Sequence, residues 1–421
     1  MPHVRDAAVR TRCRAFAALA TWSLLHAATG VAHADTKPTP FYATAYEKRP
    51  PLTTLAALGR QVFMDPSLSA SGATACSTCH DPSRAFGPAN DQPVQLAGVD
   101  GRSPGFRAVP SLRYTQTVPP FTEHFFDDDG NDSEDQGPAG GRTWDGRAAT
   151  VHDQARLPLL SPREMANGSD AEVVRRVRAT PYAAEFTAAF GAHFFDDPAV
   201  AMNGVLLALE VYTQTPGDFY PYSSKYDAWL RGQVTLTAEE ERGRQVFTNP
   251  AQGNCEHCHP SGIRSGAFPQ FTDFGYVALG VPRNSAVPAN ADAGYFDLGL
   301  CGPMRADLAA HTAYCGMFRT PSLRNVATRR VFYHNGYART LKDAVRFYAE
   351  RDTRPENWYP RGTDGAVRKF DDLPPDYRRN VEMDVPFGGA AGSEPSITDA
   401  DIDALVAFLS TLTDGYDPAR R

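Results

Sequence analysis

Cys76-Ser77-Thr78-Cys79-His80 and Cys255-Glu256-His257-Cys258-His259 are two copies of one pattern: two cysteines separated by two residues and followed directly by histidine. Two thiols about one helical turn apart reach the two vinyl groups of a single porphyrin, and the next residue then lies under the iron as its proximal ligand. The pattern therefore predicts covalent haem c at both places. Cys76 and Cys79 carry the first with His80 as axial ligand, and Cys255 and Cys258 carry the second with His259. A zinc site or a redox dithiol competes for one such motif alone. Two copies, both ending in histidine, favour haem. His257 is expected to face away from the iron.

Outward from the motifs the chain repeats itself. Gly59-Arg60-Gln61-Val62-Phe63 precedes the first motif and Gly243-Arg244-Gln245-Val246-Phe247 the second. Val109-Pro110-Ser111-Leu112-Arg113 is answered by Thr320-Pro321-Ser322-Leu323-Arg324, and Trp144-Asp145-Gly146-Arg147 by His334-Asn335-Gly336-Tyr337. Each half is expected to be a haem domain of one plan, mainly helical with long loops, as 34 glycines and 34 prolines allow.

Alignment on Gly146 and Gly336 places Pro158 and Tyr348 at the same offset, twelve residues on. Equivalent helical positions approach equivalent faces of the two haems. Tyrosine has an oxygen that binds iron; proline has no side-chain donor. The repeat thus predicts an asymmetric pair: a six-coordinate second iron held by His259 and Tyr348, and an open first iron held by His80 alone. Met317 and Met304 are rival ligands, since Met serves many electron-transfer haems. Tyr348 also reads as a core aromatic, and Pro158 as a helix kink.

Residues 1–34 read as a signal peptide. Arg5, Arg10, Arg12 and Arg14 precede an apolar run from Ala15 to Leu25, and Ala32-His33-Ala34 is a small-x-small cleavage site before Asp35. The apolar run is short for a membrane span, and no later segment is long and apolar enough for one. Loss of four Arg and one Asp from 42 basic and 49 acidic residues leaves 38 against 48, a net −10. That argues against nucleic acid and for neutral or basic partners. Six cysteines remain after Cys13 is lost with the signal. Cys301 and Cys315 are the two outside the motifs, and in an oxidising compartment they are expected to form a disulfide.

These residues, from about 50 to 412, resemble the bacterial di-haem cytochrome c peroxidase family, including its MauG-like branch. The resemblance implies a tryptophan between the haems, matched by Trp144, and a distal glutamine, proline and glutamate, matched by Gln154, Pro158 and Glu164. It implies hydrogen peroxide as substrate. The second-haem ligand is Met in typical peroxidases and Tyr in MauG; Tyr348 stands there. Typical members carry a displaceable distal His in the loop after the first motif. Leu96 occupies that place, with no His before His124, so the first haem is expected to be open without reductive activation. The family also has a calcium between the domains. Its asparagine donor is replaced by Ala108, and Arg329 and Val331 stand where carbonyl donors are expected, which leaves calcium poorly supported.

The chemistry implied is proton transfer from the near to the far peroxide oxygen. Glu164, near an apolar haem face, suits the shuttle because burial raises a carboxyl pKa. Gln154 can donate a hydrogen bond to bound peroxide. Trp144 can relay charge. The plainer readings are a surface acid, a solvated helix residue and a core anchor. An anionic Tyr348 would lower the second haem's potential and favour higher oxidation states, tilting the protein towards oxidising another substrate.

The expected organisation is a signal peptide (1–34), an N-terminal cytochrome c-type domain with the open peroxidatic haem (35–233) and a C-terminal one with the electron-transfer haem (234–421). Ile397 to Leu412 reads as a closing helix, Val205 to Tyr212 as its equivalent, and Pro216 to Gln233 as the linker. Asp127 to Asp135, with six acids in nine residues, reads as a solvated loop, a docking patch or a weak cation site. Three functions compete in a periplasmic setting: a peroxidase fed by a small cytochrome or cupredoxin, a MauG-like oxidase of a partner protein acting through high-valent haems, and a non-catalytic electron carrier.

Overall fold

The computed structural model describes residues 46–126 and 135–419. The expected signal peptide and most of the acidic run lie outside them. Among the described residues the chain is mainly helical. In chain order the α-helices are α1 (Leu52–Met64), α2 (Cys76–Cys79), α3 (Val151–Leu160), α4 (Asp170–Arg178), α5 (Ala183–Phe190), α6 (Pro198–Tyr212), α7 (Pro216–Phe219), α8 (Lys225–Leu230), α9 (Ala238–Thr248), α10 (Leu341–Glu350) and α11 (Asp399–Ser410). Strand structure is confined to short antiparallel pairs, among them His80–Asp81 with Gly87–Pro88 and Tyr276–Val277 with Phe318–Arg319. No helix among the described residues is long and apolar enough to cross a membrane.

The repeated Gly-Arg-Gln-Val-Phe is a helix-crossing signal. At Gly59 in α1 a Cβ would lie 1.9 Å from the Ala208 carbonyl oxygen of α6, and at Gly243 in α9 it would lie 1.9 Å from the Ala404 carbonyl oxygen of α11. Only a residue without a side chain lets two helix backbones meet this closely. Val62 and Phe63, like Val246 and Phe247, then turn into the core, while Arg60 and Gln245 face solvent. Two main hydrophobic cores grow around the crossings. One gathers Leu55, Leu58, Val205, Leu209 and Phe219. The other gathers Tyr226, Phe271, Leu405 and Phe408.

The alignment on Gly146 and Gly336 reappears as geometry. Both glycines have positive φ, 66° and 64°. Thr150 caps α3 by accepting from the Asp153 amide, and Thr340 caps α10 by accepting from the Asp343 amide. Pro158 and Tyr348 are each the eighth residue of their helix.

Three boundaries differ from the sequence reading. The closing helix starts at Asp399, because Thr398 caps it, and leaves Ile397 buried just outside. Its counterpart α6 begins at Pro198, earlier than expected. The stretch Pro216 to Gln233 is packed and carries α7 and α8. There Asp227 pairs at 2.7 Å with Arg324, and both side chains are fully buried. Such a pair is held only where hydrogen bonds surround it, and Arg324 donates in addition to the Pro269 carbonyl.

Gly243→Ala is expected to destabilise the protein by about 2 kcal/mol or more, in the range for overpacked sites. Gly217→Ala, where a Cβ meets nothing within 4 Å, should shift stability by less than about 0.5 kcal/mol. Denaturant titration of both variants checks the contrast.

Candidate active site

Each motif histidine is tied down by a backbone carbonyl. His80 Nδ1 donates to the Phe86 carbonyl at 3.0 Å, and His259 Nδ1 to the Phe271 carbonyl at 2.8 Å. Since a carbonyl only accepts, Nδ1 carries the proton and Nε2 is left as the metal-binding nitrogen. Burial also pushes both imidazoles down to about 4, despite the opposing hydrogen bonds, so the rings are neutral. Phe86 and Phe271 turn their carbonyls inward at φ 54° and 55°, an uncommon conformation for a bulky residue. A serine holds each loop: Ser111 Oγ donates to the Ala85 carbonyl at 2.7 Å and Ser322 Oγ to the Gln270 carbonyl at 2.6 Å.

Burial raises all four motif thiols, Cys79 to about 11 and Cys76, Cys255 and Cys258 to about 12. That disfavours a redox dithiol, which needs an accessible thiolate. His257 is exposed.

Cys255, Cys258 and His259 line a large cavity together with Tyr348 and with apolar side chains such as Leu405 and Phe387. Thiols, imidazole and phenol on the walls of one apolar space suit a flat apolar cofactor with a metal at its centre. Burial, then the neighbouring Cys258 and Cys255, raise the Tyr348 hydroxyl, so the phenol keeps its proton unless a cation is brought against its oxygen. Met317 does not line this cavity and packs instead with Tyr276, Leu300 and Leu308. Met304 does not line it either.

On the other half, α3 presents Gln154 and Pro158 one turn apart. Proline has no amide hydrogen, so the Gln154 carbonyl loses its usual helical partner. Glu164 follows in the loop after α3, with its amide donating to the Ser161 carbonyl at 3.0 Å and its own carbonyl accepting from Gly98 at 2.8 Å. Its carboxylate lies near enough to Cys76 and Cys79 to raise both thiols. The side chain is exposed by surface, yet protein lies close around its carboxyl. Burial therefore raises its pKa, against a hydrogen bond from Ser161 and the charge of Arg147. Leu96 is 56 % exposed on its loop. His124 is exposed and pairs with Asp135 at 2.6 Å.

Trp144 stands where the halves meet. Its indole N–H donates to the Ala108 carbonyl at 2.8 Å, and its own carbonyl accepts from the Arg319 amide of the second half at 2.9 Å. Its counterpart in the repeat, His334, lines the same cavity and stacks on Phe318 at 3.6 Å between centroids. At the position considered for calcium, the Val331 carbonyl accepts from Arg329 Nε at 3.2 Å and the Val109 carbonyl from Arg329 Nη2 at 3.1 Å. Cys301 and Cys315 are joined as a disulfide with Cα atoms 5.0 Å apart.

Sequence reasoning missed Arg107, which bridges the halves by pairing with Asp145 at 2.7 Å and Asp297 at 2.6 Å. Burial would raise the Asp145 carboxyl, but Arg107 and Arg147 hold it at about 2. Asp145 belongs to a repeated stretch, the one signal that could have pointed to it. Phe86 and Phe271 were missed because a backbone carbonyl leaves no mark on residue type.

A family profile for di-haem cytochrome c peroxidase matches residues 53–235. The chain is 37% identical over 394 residues to the methylamine utilization protein MauG of Paracoccus denitrificans, spanning 90% of this chain and 94% of that protein. It is 27% identical over 299 residues to a cytochrome c551 peroxidase of Nitrosomonas europaea, spanning 69% and 71%. Among solved structures, the diheme peroxidase BthA from Burkholderia thailandensis superposes with a TM-score of 0.77 at 41% identity over 87% of each chain. Paired motifs, paired proximal hydrogen bonds and this likeness along nearly the whole chain have one reading: the chain belongs to the di-haem cytochrome c peroxidase family.

Proposed function

We propose that this chain is an exported, periplasmic di-haem c-type oxidoreductase that reacts with hydrogen peroxide on the His80 side and exchanges electrons through the His259 side. The observation that carries the reading is the asymmetry of α3 and α10: the eighth residue is Pro158 in one and Tyr348 in the other. A phenol oxygen can close a metal's distal face and a proline cannot. In this reading His80 and His259 would each hold a haem iron, and Tyr348 would supply a further ligand on the His259 side. The signal peptide ends at Ala34, and the haem domains divide near residue 233.

Bound haem supplies the redox-active iron at which the O–O bond is cleaved. The protein's part is to move a proton and orient the substrate. Glu164 takes the proton from the near peroxide oxygen and returns it to the far one. Gln154 donates a hydrogen bond that holds and polarises the peroxide. Pro158 leaves the face open. Trp144, bonded to backbone from both halves, provides an oxidisable ring between the two sites. Electrons come from a small cytochrome or cupredoxin, or from a partner protein that is itself oxidised. The partner-oxidising, MauG-like variant is favoured by Tyr348 and by Leu96 standing where a displaceable His would be. A non-catalytic carrier fits less well, because Pro158 offers no ligand to close the first site. No calcium is assigned, since Arg329 already engages the Val109 and Val331 carbonyls.

Glu164→Gln is expected to leave the visible spectra nearly intact and slow the peroxide reaction about 100- to 10,000-fold. Because Glu164 accepts the first proton as a carboxylate, the parent rate should fall as pH drops through its pKa. Burial raises that pKa, so the acidic limb should lie above the usual ~4.3 and disappear in the variant. Stopped-flow rates across pH check this; an unchanged rate puts the shuttle elsewhere.

Tyr348→His is expected to keep the second site six-coordinate while abolishing the transient spectrum that follows peroxide, since a neutral nitrogen stabilises oxidised iron less than a phenolate does. Rapid mixing of parent and variant decides it. Identical transients would remove Tyr348 as ligand.

A further inference from the structure

Five arginines line the cavity: Arg84, Arg113, Arg319, Arg324 and Arg329. Three have carboxylate partners. Arg84 lies 3.6 Å from Asp91, Arg113 pairs with Asp414 at 2.9 Å, and Arg324 with Asp227 at 2.7 Å. Arg319 and Arg329 pair with no carboxylate among the described residues, although both are half-buried in the cavity wall. Arg319 Nη1 has no hydrogen-bond partner at all. Arg329 satisfies Nε and Nη2 on the neutral Val331 and Val109 carbonyls.

A guanidinium enclosed by protein without an anion is costly, and such groups are found paired. Here the cost is visible, since burial lowers both guanidiniums, Arg329 to about 10. Arg142, itself buried, adds repulsion next to Arg319. Neither arginine is given an anion by the described residues. Haem c brings carboxylates of its own, the propionates, and the planar guanidinium fork matches a carboxylate.

We propose that Arg319 and Arg329 are the counter-ions of haem propionates, Arg329 on the His80 side and Arg319 beside Trp144. The proposal rests on the assignment of haem c to both motifs. Arg329 is close enough to act electrostatically on His80. The Arg319 amide bonds the Trp144 carbonyl at 2.9 Å. Each arginine would then fix the orientation of a porphyrin edge and hold a positive charge near an iron. They are positioning residues, not catalytic ones.

The test uses the matured, haem-loaded protein. Haem content by mass is measured first on every sample, then midpoint potentials by spectroelectrochemistry and propionate bending modes by resonance Raman. Arg319→Gln and Arg329→Gln should each move the ferric–ferrous equilibrium of one haem at least tenfold towards ferric, ~59 mV for one electron, and shift a propionate mode. Arg319→Lys and Arg329→Lys should recover the potential to within threefold, and the exposed Arg102→Gln should change nothing. Two haems with unmoved potentials and modes would overturn the proposal and leave the haem assignment standing; a parent without haem would overturn that assignment. If the Gln variants do not mature, a crystal structure of the loaded parent decides. A propionate oxygen within hydrogen-bond distance of each guanidinium supports the proposal, and propionates directed elsewhere refute it.

Discussion

The structure depends on one hydrogen bond made twice: the motif histidine donating through Nδ1 to the carbonyl of a buried phenylalanine. It sets which ring nitrogen is protonated, where the ring points, and that Nε2 is available to a metal. Much of what surrounds it serves to bring that carbonyl into place. Phe86 and Phe271 accept a positive φ, and their rings are anchored in the cores, Phe86 stacked on Phe219 at 4.2 Å and Phe271 edge-on to Phe247 at 6.1 Å. Ser111 and Ser322 hold the neighbouring carbonyls. The arginine two residues beyond each serine ties the loop to the stretch between the cores, Arg113 to the Asp218 carbonyl and Arg324 to Asp227. The Pro-Ser-Leu-Arg repeat is thus a brace for the proximal histidine.

On that common frame the proposed asymmetry rests on one helical position. α3 and α10 share a threonine cap, an acid three residues on and the same register. Most of their side chains differ, and at the eighth residue a proline answers a tyrosine. In the proposed reading, one face is left open for a substrate, with Glu164 and Gln154 to serve it. The other faces Tyr348. Trp144 and the Arg107 pairs with Asp145 and Asp297 tie the halves together, as the proposed charge transfer between the sites would require.

The sequence made legible what depends on residue type at short range. Cysteine spacing marked both motifs, and the repeat set Pro158 against Tyr348, an equivalence that recurs in the two helices. Periodicity marked the closing helix to within two residues at each end, with Thr398 deciding the start, and its counterpart α6 without its first two turns. Long-range and backbone features were not legible. Gly59 and Gly243 were seen as repeat members, but their carbonyl contacts on Ala208 and Ala404 belong to a partner helix far along the chain. The stretch after Pro216 looked like a linker because it is short of long apolar runs; its order comes from Asp227 meeting Arg324, 97 residues later. Met317 could be weighed as a ligand only while its packing with Leu300 and Leu308 was unknown.

The central claim is that one frame holds one closed and one open iron. Electron paramagnetic resonance of the purified, fully oxidised protein reads this directly, because ligand number sets the ferric spin state. The account predicts a high-spin signal and a low-spin signal in equal amounts without any reductive pretreatment. Two low-spin signals at rest would contradict it, since some side chain would then be closing the face that Pro158 leaves free.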